Sequence, residues 1–218
     1  CGPILAWMLQ GLDVEDNLLD RRSDGEIQVI YEDEWMMAVN KPEGLLSIPG
    51  KSQTDSVSSQ ILKMRPDVTG PLIVHRLDMA VSGLMLNAKN KKIHKLLQEM
   101  FLRRKIKKTY VALLNGVVDS IEGEINLPMC PDYLNRPRQI VSKEYGKDAI
   151  THYKVLEINN FQTRVELSPY TGRTHQLRVH AACKDGLNTP ILGDNLYGDM
   201  RRSRLYLHAQ SLDFIHPM

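Results

Sequence analysis

The side chains best suited to chemistry fall in two widely separated stretches. His75, Arg76 and Asp78 stand in Leu72-Ile-Val-His-Arg-Leu-Asp-Met-Ala-Val-Ser-Gly-Leu-Met-Leu86, which sets one carboxylate between two apolar runs with a basic pair just upstream. Arg173, His175 and Arg178 stand in Tyr170-Thr-Gly-Arg-Thr-His-Gln-Leu-Arg-Val-His180. An aspartate serves as a nucleophile or base when it is ionised, and a neighbouring arginine both lowers its pKa and fixes its orientation. Arg76 and Arg178 are the candidates for that arginine, and sequence spacing does not place Arg178 near Asp78. The structural alternative is that Arg76 and Asp78 form an ion pair while His75 fills a polar gap.

The elements that must hold these residues follow from periodicity. Leu72 to Val74 and Leu84 to Leu86 read as short strands bracketing the Asp78 loop, with Ser82-Gly83 turning back into regular structure. Ile27 to Tyr31 and Trp35 to Asn40 read as two strands joined by an acidic turn. Thr54 or Asp55 is expected to cap a helix with an apolar stripe of Val57, Ile61, Leu62 and Met64, ending before Pro66. Asn90 is expected to cap a second helix in which Ile93, Leu96, Leu97, Met100 and Phe101 form the core face and lysines the wet one. Thr109 to Leu114 reads as a strand, as does Ile121 to Pro128, and Met129 to Arg138 as a turn-rich loop carrying Asn135, Arg136 and Arg138, side chains that contact phosphate readily. Ala149 to Ile158 and Phe161 to Leu167 alternate and are joined by the hairpin signal Asn159-Asn160. Thr174 is expected to cap a helix from about residue 175 to 184, and residues 205 to 214 form a last strand. The sum is an α+β fold with a mixed, largely antiparallel sheet flanked by helices. Residues 1 to 26 read as an acidic, loosely structured leader, and residues 27 to 218 as one catalytic domain.

Composition excludes several classes. Hydrophobic residues at 42% and charged residues at 25% are those of an ordinary globular protein, and no apolar run approaches the roughly 20 residues of a membrane span. The opening segment has no basic region ahead of its short apolar run, so it does not read as a signal peptide. Three cysteines without metal spacing fit a reducing cytoplasm. Gly50-Lys51-Ser52 imitates the end of a phosphate-binding P-loop, but the position that requires the first glycine is Leu45, so nucleotide triphosphate binding is rejected. His175 and His180, the closest histidine pair, fall on different faces of a helix, and no metal site is expected. A net charge of +2 conceals nine bases between residues 89 and 108, Lys107 and Lys108 among them, against Glu99 alone. Such a run is either a solvated helix face or a phosphate-binding stripe.

Together, H-R-L-D-x-x-x-S-G at 75–83 and G-R-T-H-Q-L-R-V-H at 172–180 resemble the signature of the RluA-type pseudouridine synthases, and V-N-K-P-x-G-L-L-S-x-P-G at 39–50 is similar to their opening segment. The resemblance implies a pseudouridine synthase fold with a central RNA cleft, working without metal, nucleotide or redox cofactor. It implies that Asp78 is the catalytic aspartate, that Arg178 pairs with it, and that Leu177 forms an apolar wall beside it. It further implies that Tyr110, in the K-K-x-Y segment, sits on the target base and that Arg76 moves into the RNA to displace the uridine. His75, Arg173, Lys107, Lys108 and the loop arginines then belong to the RNA-binding surface. The Cys130 to Gln139 loop looks most like the subgroup acting on 23S ribosomal RNA and the tRNA anticodon arm, so the expected partner is one or both of these RNAs, met by a monomer in the cytoplasm. The chain departs from the family pattern at Val81, where Thr is common, in having no S4-type module ahead of residue 27, and in stopping at Met218, where a truncated C-terminus is expected. The competing readings are an RNA-binding protein without catalysis and a carboxylate-dependent sugar hydrolase, which would need a second acid in a comparable setting.

Overall fold

The structure, a computed structural model, describes residues 25–198 and 204–218; the leader expected at residues 1–26 therefore lies almost wholly outside the described residues. The chain forms two compact units. One comprises the chain up to Lys107 and its return from His208 to Met218, and the other runs from Lys108 to Leu207.

In the first unit β1 (Gln28–Glu32), β2 (Met36–Lys41), β3 (Ser82–Ala88) and β10 (Leu207–Asp213) lie side by side in that order. The first three pair antiparallel, and β10 runs parallel to β3. β2 is buried along nearly its whole length because its Met-Met-Ala-Val run is apolar on both faces. Helix α1 (Val57–Met64) starts at Ser56, whose hydroxyl accepts the Ser59 N–H while the Ser59 hydroxyl accepts the Ser56 N–H. This reciprocal capping box stands in place of the cap expected at Thr54 or Asp55: Thr54 has only Val57 three residues on, and of the two side-chain pairs at that spacing, Asp55 with Ser58 and Ser56 with Ser59, it is the second that closes. The stripe is also narrower than expected: Val57 and Ile61 are buried, but Leu62 and Met64 are exposed. Helix α2 (Lys91–Leu102) does start at Asn90, whose side chain accepts the Ile93 N–H. Ile93 and Leu97 are fully buried with Met36, Ala38, Leu86, Ala88 and Leu212, while Leu96, Met100 and Phe101 pack on the edge of that core. Lys91, Lys92 and Lys95 are exposed, as the amphipathic pattern requires.

In the second unit β4 (Lys107–Leu114), β9 (Gln162–Pro169), β8 (Ile150–Asn159) and β5 (Glu122–Asn126) form four consecutive antiparallel neighbours. The β8–β9 turn puts Asn160 and Phe161 at φ 48° and 60°, the double left-handed conformation that suits a tight hairpin. The stretch expected to be a loop after Pro128 is a separate two-stranded hairpin, β6 (Met129–Pro131) with β7 (Gln139–Val141). Its long tip hid the pairing from the sequence. A mixed, mostly antiparallel α+β architecture results, as the sequence implied. Helix α3 (Gln176–Ala182) is shorter than expected and is not capped by Thr174. Its lead-in residue His175 sits at φ 56°, ψ 15°, with no side-chain cap.

Candidate active site

In the first unit the Asp78 loop is pinned residue by residue. Ahead of it, Leu72 to Val74 is not a strand but a single bridge, Ile73 to Asn87, reinforced by the Ala88 N–H on the Leu72 carbonyl and by the His94 ring nitrogen on the Ile73 carbonyl. His75 Nε2 accepts the Leu86 N–H at 2.9 Å, so it ties the loop to β3. The Ser47 hydroxyl accepts the Leu77 N–H at 3.1 Å and donates to the Leu77 carbonyl at 2.8 Å. The Asp78 carbonyl accepts the Val81 N–H, closing a turn over Met79 and Ala80. Met79, in turn, gives its carbonyl to the Gly44 N–H at 2.8 Å and to Lys41 Nζ at 3.1 Å.

Lys41 has no exposed surface, and its ammonium also donates to the carbonyls of Pro42 and Leu45. Burial pushes it down to about 7, and the charges of Asp78 and Glu43 work in the opposite direction. Thus Lys41, Gly44 and Ser47 of the K-P-x-G-L-L-S stretch form the bed beneath the aspartate. Sequence reading recognised that stretch but gave it no chemistry; a lysine at the end of a strand as apolar as β2 was the available signal. Arg76 is exposed and Asp78 half-buried.

In the second unit Arg178 is only 3% exposed and meets Asp194 in a two-point contact, Nε to Oδ2 at 2.8 Å and Nη2 to Oδ1 at 2.6 Å. Such a planar pairing fixes the guanidinium in rotation as well as position. Asp194 Oδ1 also accepts the N–H groups of Leu196 and Tyr197. The turn before α3 is fastened by Gln176, 2% exposed: its oxygen accepts from the Thr171 hydroxyl and the Arg173 N–H, and its nitrogen donates to the Ile150 carbonyl and Thr151 hydroxyl. These bonds satisfy the buried amide and hold His175 in a conformation uncommon for a residue with a side chain. His175 Nδ1 lies 2.7 Å from the Tyr197 hydroxyl. Leu177 is buried beside Arg178, and Arg173 is exposed with its Nε on the Asp148 carbonyl. Gln176 lies inside the 172–180 motif, and Asp194 and Tyr197 in the segment Pro190 to Tyr197, part of the same resemblance, but none was given a role from the sequence, because each acts through neighbours distant along the chain.

Tyr110, opposite Leu167, and Lys108 share one side of β4 by strand alternation, whereas Lys107 falls on the other and is exposed. Burial lowers the Lys108 pKa. At the hairpin tip, Asp132 accepts the N–H groups of Leu134 and Asn135 and the Asn135 amide, which leaves Asn135, Arg136 and Arg138 exposed in a defined turn. The Arg136 guanidinium lies over the Tyr133 ring at 5.2 Å. The structure therefore gathers Leu177, Arg178 and Arg173 around α3, holds Asn135, Arg136 and Arg138 on one hairpin, sets Tyr110 and Lys108 on one strand face, and carries His75, Arg76 and Asp78 on the loop of the other unit. Among the described residues no group of three or more His, Cys, Asp or Glu side chains could hold a metal ion, and no helix is long and apolar enough to cross a membrane.

The aspartate of H-R-L-D is thus rigidly seated and the arginine of Q-L-R buried in an α+β chain, and comparison with known proteins shows the family. Residues 36–183 match the RNA pseudouridylate synthase family model, and the chain belongs to that family of RNA-modifying isomerases. It is 46% identical over 200 residues to the dual-specificity RNA pseudouridine synthase RluA of Vibrio cholerae, covering 89% of this chain and 79% of that one. To the protein of the same name from Yersinia pestis it is 44% identical over 194 residues, with 87% and 92% covered. Among solved structures, human RNA pseudouridylate synthase domain containing 1 superposes with a TM-score of 0.75 at 28% identity, covering 89% of this chain and 80% of that one.

Proposed function

We propose that this chain converts particular uridines of ribosomal RNA and transfer RNA to pseudouridine, with Asp78 as the catalytic carboxylate. The observation that carries the assignment of Asp78 is its seat. The residues before and after it are locked by Ser47, Gly44 and Lys41, the rigidity a reacting side chain needs. The dual-specificity names of the relatives support the two RNA classes.

The reaction breaks the bond between uracil N1 and ribose C1′, turns the base, joins C5 to C1′, and moves the proton of C5 to solvent while N1 gains one. Asp78 acts either by attacking C1′ or by removing the C2′ proton. Tyr110 stacks on the base and assists loss of the C5 proton. Arg178 supplies a fixed positive charge, and Leu177 keeps water from it. Arg76, exposed beside Asp78, takes the place of the displaced uridine, since a stacked base is out of reach until it is flipped. His75 holds the loop to β3 and is here a positioning residue. Lys107, Lys108, Arg173, Asn135, Arg136 and Arg138 bind the phosphate backbone. We place the protein in the cytoplasm, as a monomer whose residues 27–218 form the catalytic domain.

The test is tritium release to water from 23S and tRNA transcripts labelled at uridine C5. Wild-type protein is expected to release tritium, and Asp78→Asn to fall by roughly three orders of magnitude while still binding the transcripts. Equal binding with no release by either protein would instead leave an RNA-binding protein without catalysis.

A further inference from the structure

Tyr197 lies in the second unit, at the end of the similar segment Pro190 to Tyr197 and without a role in the proposed reaction, yet it joins the two parts of that unit assigned here to RNA. Its hydroxyl accepts the Gln139 N–H at 2.7 Å and sits 2.7 Å from His175 Nδ1. Gln139 opens β7 at the base of the arginine-bearing hairpin, and His175 leads into α3. Its ring lies under two guanidinium groups, those of Arg138 from the hairpin and Arg178 from the helix, each 5.3 Å from the ring centre. The same ring packs on a small core of Met129, Ala149 and Val179. The turn that carries it is held by Asp194, the partner of Arg178. One side chain thus fixes the hairpin through its hydroxyl and touches both arginines through its ring.

We propose that Tyr197 is a positioning residue that sets the register of the RNA-contacting hairpin on the Arg178 helix, so that hairpin binding and arginine placement are coupled through it. The proposal rests on the reading of the hairpin as an RNA contact. Hydroxyl and ring have separable tasks. Losing the hydroxyl frees the Gln139 N–H and loosens the hairpin; losing the ring removes the cation–π partner of Arg178 as well.

The test uses the full chain as wild type, Tyr197→Phe, Tyr197→Leu, Arg138→Ala and the double variant that combines Tyr197→Phe with Arg138→Ala. Single-turnover tritium release from the C5-labelled tRNA and 23S transcripts gives the half-saturating enzyme concentration and the limiting rate. Amide hydrogen exchange at Gln139 is measured in parallel. Tyr197→Phe is expected to raise the half-saturating concentration about five-fold with a smaller change in limiting rate, and to speed Gln139 exchange about ten-fold. Tyr197→Leu is expected to lower the limiting rate as well. The Arg138→Ala loss is expected to be smaller in the Tyr197→Phe background than in wild type, as coupled residues behave. Unchanged Gln139 exchange and half-saturation in Tyr197→Phe, or strictly additive losses in the double variant, would overturn the proposal. If Tyr197→Leu does not fold, Tyr197→Phe decides alone. If wild type releases no tritium, the proposed reaction fails by itself, and Gln139 exchange together with filter binding of the same transcripts still decides the coupling.

Discussion

Lys41 shows how much of the Asp78 loop's geometry can depend on a residue that never meets solvent. Its ammonium spans the carbonyls of Pro42, Leu45 and Met79, and the last of these belongs to the residue after Asp78. Burial brings its pKa from the ordinary 10.5 to about 7. Between those values the unfolded chain keeps a proton that the folded protein releases, so stability rises with pH across that window and the destabilising effect is complete below pH 7. Replacement by Met removes the titration and takes the ammonium donor from the Pro42 and Leu45 carbonyls, while the Met79 carbonyl keeps the Gly44 N–H; the loss costs roughly 1–3 kcal/mol for each carbonyl that stays dry. Lys41→Met is therefore expected to be the less stable protein throughout. Its deficit should widen from pH 7 toward 10 by up to about 1.4 kcal/mol per pH unit, read from urea unfolding at several pH values. A constant difference across that range would mean that Lys41 stays charged in the fold. The sequence offered only the lysine ending an apolar strand as a signal for this role, because burial of the ammonium depends on β2 and the Asp78 loop, which lie far apart along the chain. Asp78, Arg178 and Tyr110 could be singled out as candidates because the motifs that contain them are local.

At the level of elements, legibility tracked how local the cause was. Helix α2 followed from its apolar spacing and its Asn90 cap, both contained in the helix itself. The start of α1 was misplaced because Thr54, Asp55 and Ser56 are all competent acceptors, and the choice among them is made by Ser59. The left-handed His175 ahead of α3 was invisible, since Gln176 and its bonds to β8 hold it there. Gly83 is the opposite case, in which a residue read as a turn is a strand position. It sits in β3 at φ 118°, and a Cβ there would run into the backbone of Ala209 on the parallel strand β10. Gly44 has a comparable φ of 77° but open space around it. Gly44→Ala is thus expected to cost only the backbone term, roughly 1–2 kcal/mol. Gly83→Ala must also push β10 away from β3 and should cost roughly 3 kcal/mol or more. Urea unfolding of the two variants separates these causes, and equal losses would show that β10 yields freely.

Over the whole molecule, the division of the chain was the least legible feature. The chain passes from the first unit to the second between Lys107 and Lys108 and back between Leu207 and His208, and both crossings fall at or inside strands rather than in linkers rich in Gly, Pro or Ser. The family signature likewise spans both units, with Asp78 in one and Tyr110 and Arg178 in the other. Charge behaves differently, because its effect on RNA affinity adds across the surface whichever unit bears it. Each phosphate neutralised releases counterions and steepens the fall of binding with salt by about 0.7–0.9 in the logarithmic slope. Arg136 and Arg138 are exposed on the hairpin, each against a tyrosine ring, and are available to meet backbone phosphates. In an Asp78→Asn background, which does not turn over if the proposed role of Asp78 holds, replacing both by Ala is expected to reduce that slope by about 1.5 and to weaken binding to all transcripts in similar proportion. Filter binding of the tRNA and 23S transcripts from low to moderate salt measures both quantities. A loss confined to one transcript with an unchanged slope would mean that the two arginines read bases rather than the backbone, and the hairpin would then be a determinant of which uridine is chosen.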